Sequence, residues 1–163
     1  MKKRLAIVVI VQLALVGVGV APQLSARAAG EEYRMRVAPV DPIDPFRGAY
    51  VTLAYPDLSH DDSWSAEGGL GALDDGERGP VYVSLSEDGG LMRASEFSRS
   101  RPETGPYLAC DDRNWQIRCG IESWFASQAE ARRIGRELAE DGGIAVVRID
   151  PRGNAAVVDL ETR

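Results

Sequence analysis

The sequence predicts a mainly β domain with one helix, an α+β fold built as a small antiparallel barrel or sandwich, preceded by an N-terminal hydrophobic helix. Three observations carry this prediction. Short stretches in which apolar and polar residues alternate recur along the chain, the period of a half-buried strand. Only Ser127 to Asp141 spaces its apolar residues as a helix does. Residues 1–30 combine a basic start with an apolar run, which sets a membrane anchor or signal segment (1–30) apart from a β-rich domain (31–163).

The N-terminal segment begins with Lys2, Lys3 and Arg4, and Leu5 to Ala21 is then apolar except for Gln12. A run of about 17 residues lies between the roughly 7–15 of a signal-peptide core and the roughly 17–25 of a spanning helix. Ala26-Arg27-Ala28 has the A-x-A arrangement that a signal peptidase reads. A cleaved signal and a retained anchor both fit. Positive charge before the apolar run holds that end in the cytoplasm. The expectation is a single-pass protein of the cell membrane with its body extracytoplasmic, or a secreted one after cleavage.

With 163 residues, the chain has room for one domain of ordinary size. Of its 19 basic residues four lie in the first 30, so 15 arginines face all 25 acidic residues beyond that point, a formal charge of −10. Such a surface repels nucleic-acid phosphate, so no nucleic-acid partner is expected. The body has no lysine, which removes lysine from any mechanism there.

The elements follow in order. Tyr33 to Val40 alternates as a strand, and Asp41 to Gly48, with Pro42 and Pro45, is a stiff irregular connection. Ala49 to Tyr55 is a second strand with Val51, Leu53 and Tyr55 on one face. Pro56 to Pro80, rich in Gly, Asp and Ser, is a long loop or flap. Val81 to Leu85 and Leu91 to Phe97 are strands around a turn at Glu87 to Gly90. Pro106 to Cys110 and Trp115 to Phe125 make a further hairpin. Ser127 and Glu130 form a capping box ahead of the helix, whose buried stripe is Ala131, Ile134 and Leu138. Gly135 suggests close packing inside that helix, and Gly142 or Gly143 ends it. Ile144 to Asp150 and Ala155 to Leu160 flank the turn Pro151-Arg152-Gly153-Asn154. The total is six to eight strands and one helix.

Cys110 and Cys119 are the only cysteines. In an oxidising compartment they could close a disulfide across a hairpin; the alternative is two buried thiols. No metal site is expected, because ligand spacing is missing and His60 is the only histidine. A Ser–His–Asp triad would need His60, which sits among solvated charges in Ser59-His60-Asp61-Asp62. Asp57, Asp61 and Asp62 lack the spacing of a calcium loop. Gly68-Gly69-Leu70-Gly71 lacks the lysine and helix of a phosphate loop, and no cofactor is expected. Asp41, Asp44 and Glu122 remain as an acid–base set. Trp64, inside the polar flap, is either a contact residue or the flap's own anchor.

One stretch carries a resemblance. Pro39-Val40-Asp41-Pro42-Ile43-Asp44-Pro45-Phe46-Arg47 leads into Gly48-Ala49-Tyr50-Val51-Thr52-Leu53-Ala54-Tyr55. This resembles the bacterial family named after its motif, GDYXXLXY. Gly48, Tyr50, Leu53 and Tyr55 match its fixed positions, while Ala49 stands where the family has aspartate. The resemblance extends to Gly120-Ile121-Glu122, Trp124-Phe125 and the terminal hairpin. It implies an N-terminal membrane segment, no assigned activity, and in some members a multi-pass membrane protein as partner. Arg47-Gly48 with Tyr50-Val51 also resembles a local box of type I signal peptidases, but their Ser–Lys chemistry needs a lysine that the body lacks.

Physically the motif is a corner in which Arg47 can clamp Asp41 or Asp44, and Tyr50 and Tyr55 point to opposite faces of a strand. The candidate binding residues are therefore Asp41, Asp44, Arg47, Tyr50, Tyr55 and Glu122. The functional expectation is a membrane-anchored, extracytoplasmic accessory protein without catalysis; the alternative is a carboxylate-dependent envelope hydrolase using Asp41, Asp44 or Glu122.

Overall fold

A computed structural model describes residues 2–39, 50–58, 78–114 and 116–162. Asp41, Asp44, Arg47, Gly48 and Ala49 lie outside the described residues, as do His60, Asp61, Asp62, Trp64 and Trp115.

Helix α1 spans Lys2–Ala29 and passes through Gly30 into strand β1, Glu31–Pro39. From residue 7 to 22 every side chain is exposed, including Ile10, Leu13, Leu15 and Val18. The stretch Ile7–Ala29 has 23 residues and a mean hydropathy of 2.2, apolar and long enough for a membrane span and equally the character of a signal sequence. Its last turns behave differently. Ala26 is fully buried, and hydrogen bonds from Gln23, Ser25 and Arg27 reach the body.

The body contains two open antiparallel sheets that share one core and do not close into a barrel. Strands β2 (Tyr50–Ala54), β7 (Ser123–Phe125), β8 (Gly143–Ile149) and β9 (Ala155–Thr162) join β1 in the order β7-β2-β1-β8-β9. Strands β3 (Pro80–Asp88), β4 (Leu91–Ser98), β5 (Tyr107–Asn114) and β6 (Gln116–Arg118) form the second sheet, β4-β3-β5-β6. Alternation drives both layers. Met35, Val37, Val51, Leu53 and Val147 from one sheet meet Val81, Val83, Phe97 and Leu108 from the other. Asp88-Gly89-Gly90-Leu91 closes the β3–β4 hairpin, and the positive φ at Gly89 and Gly90 gives the tight turn that matches strand twist.

Helix α2, Gln128–Asp141, packs on β1, β2 and β9. The Ser127 hydroxyl accepts the Glu130 N–H, Ala131, Ile134 and Leu138 are buried, and Arg133 pairs with Glu137. Gly135, in contrast, has open space where a side chain would stand, so it is not a close-packing point. The described residues hold nine strands, more than the alternation suggests. The expected hairpin from Pro106 to Phe125 is also divided: its second arm is broken at residues 119–122, so β6 pairs with β5 while β7 crosses to β2. Of the expected flap, Pro56–Leu58 is a single 3-10 turn and Pro80 already belongs to β3.

A buried carboxylate secures the start of β3. Asp112, 4% exposed, accepts the Gly79 N–H at 2.7 Å and an Arg99 guanidinium N–H at 2.7 Å. Arg99 also donates to the Pro80 carbonyl at 3.1 Å. One side chain of β5 thereby holds both the approach to β3 and the end of β4.

Candidate functional site

The described part of the motif is strand β2 with Tyr55 just beyond it. Its alternation fixes two different roles. Val51, Leu53 and Tyr55 face the core, and Tyr50 faces outward. The Tyr55 hydroxyl donates to the Ile121 carbonyl at 2.8 Å, and the Leu53 N–H donates to the Glu122 carbonyl at 2.9 Å. Burial, and then the charge of Glu122, push the Tyr55 phenol far above its ordinary value, so it acts as a fixed neutral donor.

The segment 119–122 that receives these bonds is held from three further directions. Cys119 is joined to Cys110 of β5 by a disulfide, with the two Cα atoms 4.1 Å apart. The Glu122 carboxylate folds back and accepts the N–H groups of Cys119 and Gly120. Finally, the Gln23 side-chain amide of α1 donates to the Gly120 carbonyl at 3.1 Å. The motif strand, the disulfide and the apolar helix therefore meet on one four-residue segment.

A second set of contacts fixes the helix to the β8–β9 end of the five-stranded sheet. The Ser25 hydroxyl donates to the Asp150 carboxylate, which also accepts the backbone N–H groups of Arg152 and Asn154. Burial alone would raise the Asp150 carboxyl, but the bonds from Asn154, Ser25 and the turn backbone outweigh it and hold it below the usual range. The Arg27 guanidinium donates to the Val157 carbonyl, and Arg148 donates to the Arg27 carbonyl. Gly30 has no room for a side chain, because a Cβ would press on the Ala26 carbonyl and stand 2.9 Å from the Ile149 nitrogen.

Tyr50 has a different neighbourhood. It pairs with Phe125 across β2 and β7, ring centroids 6.2 Å apart, and Phe125 is 80% exposed. Phe125 thus adds to Tyr50 an aromatic surface at the edge of the five-stranded sheet. In the sequence Phe125 enters only through the family resemblance, and Gln23 carries no signal of its own. Phe125 needs the strand register to show that it faces outward, and Gln23 reads as the polar end of an apolar run. Of the six candidate binding residues, the structure brings Tyr55 and Glu122 to one loop and puts Tyr50 on the opposite face, while Asp41, Asp44 and Arg47 are not described. Among the described residues no group of His, Cys, Asp and Glu could hold a metal ion.

The hydroxyl of Tyr55 can be removed without changing shape elsewhere. Tyr55→Phe is expected to lower stability by about 1–2 kcal/mol, the cost of leaving the buried Ile121 carbonyl without its donor. Thermal unfolding of the full-length protein in detergent micelles measures it, and an unchanged midpoint would show that the bond does not hold the loop.

Neither a curated protein nor a solved structure matches this chain. The model of the family described as GDYXXLXY protein does match, over residues 12–160, so the span includes most of the apolar helix, the motif strand, the 119–122 segment and the terminal hairpin: the chain belongs to the GDYXXLXY family.

Proposed function

We propose that the protein is a membrane-anchored extracytoplasmic accessory protein that works by binding rather than catalysis. The observation that carries this reading is the division of α1: residues 7–22 are apolar and exposed, while residues 23–27 are built into the body. An apolar helix exposed on all sides is unfavourable in water and at home in a bilayer. Its junction also argues for retention. In the folded protein Ala26-Arg27-Ala28 is helical, Ala26 is buried and the Arg27 carbonyl is bonded, so cleavage there would have to precede docking. A helix that is part of the fold positions the body above the membrane rather than tethering it loosely. Exposed Phe125 with half-buried Tyr50 offers the kind of aromatic surface on which protein partners dock, and a multi-pass membrane protein is the partner that a membrane-held body would meet. The Glu122 carboxylate is occupied by the Cys119 and Gly120 N–H groups, which leaves a hydrolase only Asp41 and Asp44.

Two measurements test the reading. Intact mass of the protein isolated from membranes is expected to show the uncleaved chain; a mature form beginning at Ala29 would overturn retention. Crosslinking in membranes is expected to capture a multi-pass protein with the wild type, and at least tenfold less with Phe125→Ser. Equal capture by both would remove the Tyr50–Phe125 surface from the proposal.

A further inference from the structure

The docked helix also determines which surface of the body meets the bilayer. The hydrocarbon core is about 30 Å thick, the length of roughly 20 helical residues. Measured from Arg4 at the first headgroup layer, that length ends near Leu24. Gln23, Ser25 and Arg27 then lie at the second headgroup layer, and the body atoms they touch lie there with them. Those atoms belong to Gly120, Asp150 and Val157, with Arg148 beside them.

The charges of this rim are sorted in an unusual way for a body of net charge −10. Four of its acids are turned inward or paired, while Glu31, opposite Ile149, is exposed and among the described residues accepts only the Tyr33 hydroxyl. Glu122 caps the backbone of Cys119 and Gly120, and Asp150 is buried in its turn. Glu32 lies 3.3 Å from Arg148, and Asp111, opposite Arg118 in the β5–β6 ladder, is paired with Arg113. The arginines point out. Arg118, two residues before Gly120, and Arg152, two after Asp150, are exposed and have no acidic partner among the described residues. Arg101 is held at the same place by a bond to the Pro151 carbonyl and by lying over the Tyr107 ring, 5.4 Å from its centroid. Glu103 is exposed in the loop that follows it.

We propose that Arg101, Arg118 and Arg152 bind phosphates of anionic phospholipid headgroups, so that the body rests on the membrane through the β8–β9 turn and the Gly120 segment. This rests on retention of α1. Guanidinium groups match phosphate oxygens in geometry as well as charge. They also answer a physical problem, since an acidic body held against an anionic surface is otherwise repelled.

The test uses the full-length protein in nanodiscs of phosphatidylcholine with and without phosphatidylglycerol. Native mass spectrometry is expected to find phosphatidylglycerol retained in preference, and the preference to fall on the order of fivefold for each of Arg118→Gln and Arg152→Gln. Added inorganic phosphate is expected to leave the retained lipid in place; displacement by it would mean a free-phosphate site instead. A phospholipid with a photoactivatable headgroup is expected to label residues 101–105, 118–120 and 150–153. It is expected to spare residues 139–142, beside Val37 and about 20 Å along β1 from Glu31. Equal retention of the two lipids, or labelling of 139–142 in place of the rim, would overturn the proposal while leaving the anchor intact. An intact mass that starts at Ala29 would instead remove the anchor itself, and the proposal with it.

Discussion

Asp112→Ala is expected to lower the stability of the body by about 3–5 kcal/mol, the usual cost of removing one partner from a buried, hydrogen-bonded ion pair. The size follows from what the carboxylate holds. It is 4% exposed, and its loss leaves the Gly79 N–H without its side-chain acceptor and takes from Arg99 its bonded carboxylate at the point where β3, β4 and β5 come together. Asp112→Asn keeps an acceptor for Gly79 and is expected to lose less. The same group sets an acid limb. The bond from Arg99, opposed by burial and reinforced by the Gly79 N–H, holds its carboxyl below the ordinary range. A carboxyl lowered in the folded state contributes stability that is complete above about pH 4 and lost as pH falls through the folded value. Thermal melts in detergent between neutral and acid pH are therefore expected to show a midpoint falling below about pH 4, and a shallower fall in Asp112→Ala. A variant within about 1 kcal/mol of the wild type, with an unchanged acid limb, would show that the network does not carry the sheet.

Gly153→Ala is expected to cost about 3 kcal/mol, although it adds one methyl group to a turn. Gly153 has a φ of +81°, which costs an L residue about 1–2 kcal/mol. Its Cβ would also run into the Tyr107 ring and stand 2.9 Å from the Ala109 nitrogen, and overpacking of this kind adds about 1–3 kcal/mol. The Gly153 carbonyl accepts the Ala109 N–H at 2.9 Å, so displacing the turn also loosens β5 from β9 and its neighbour. Gly89→Ala separates the two causes. Gly89 shares the positive φ but faces open space, so it is expected to pay only the conformational cost, about 1–2 kcal/mol. Equal losses at the two positions would mean that packing against Tyr107 contributes nothing.

Strand segments, helix α2 and the terminal turn are legible in the sequence because their signals are local. Alternation of Val51, Leu53 and Tyr55 is enough to say which side of β2 is buried, and Ser127 with Glu130 is enough to place the start of α2. The break at 119–122 is not legible, since Trp115 to Phe125 reads as one strand arm. What divides it is a set of partners from three places in the fold: Cys110 of β5, Leu53 and Tyr55 of the motif stretch, and Gln23 of α1. Gly135 is the opposite case. A glycine inside a helix suggests a tight contact, yet nothing in the chain stands near enough to need one. The candidate site divides in the same way. Opposite faces for Tyr50 and Tyr55 follow from strand period alone, whereas the exposure of Phe125 and the inward use of Glu122 depend on which strand lies alongside.

The apolar character and length of residues 5–21, the acidic charge of the body, the mainly β composition and the family motif belong to the sequence by itself, because each depends on residue type and on neighbours a few positions away. The tertiary structure decided that the sheets stay open, that Cys110 meets Cys119, and that the end of the apolar helix is part of the domain. The last of these depends on Gln23 reaching Gly120, Ser25 reaching Asp150 and Arg27 reaching Val157, contacts across about 100 or more residues that no local pattern encodes.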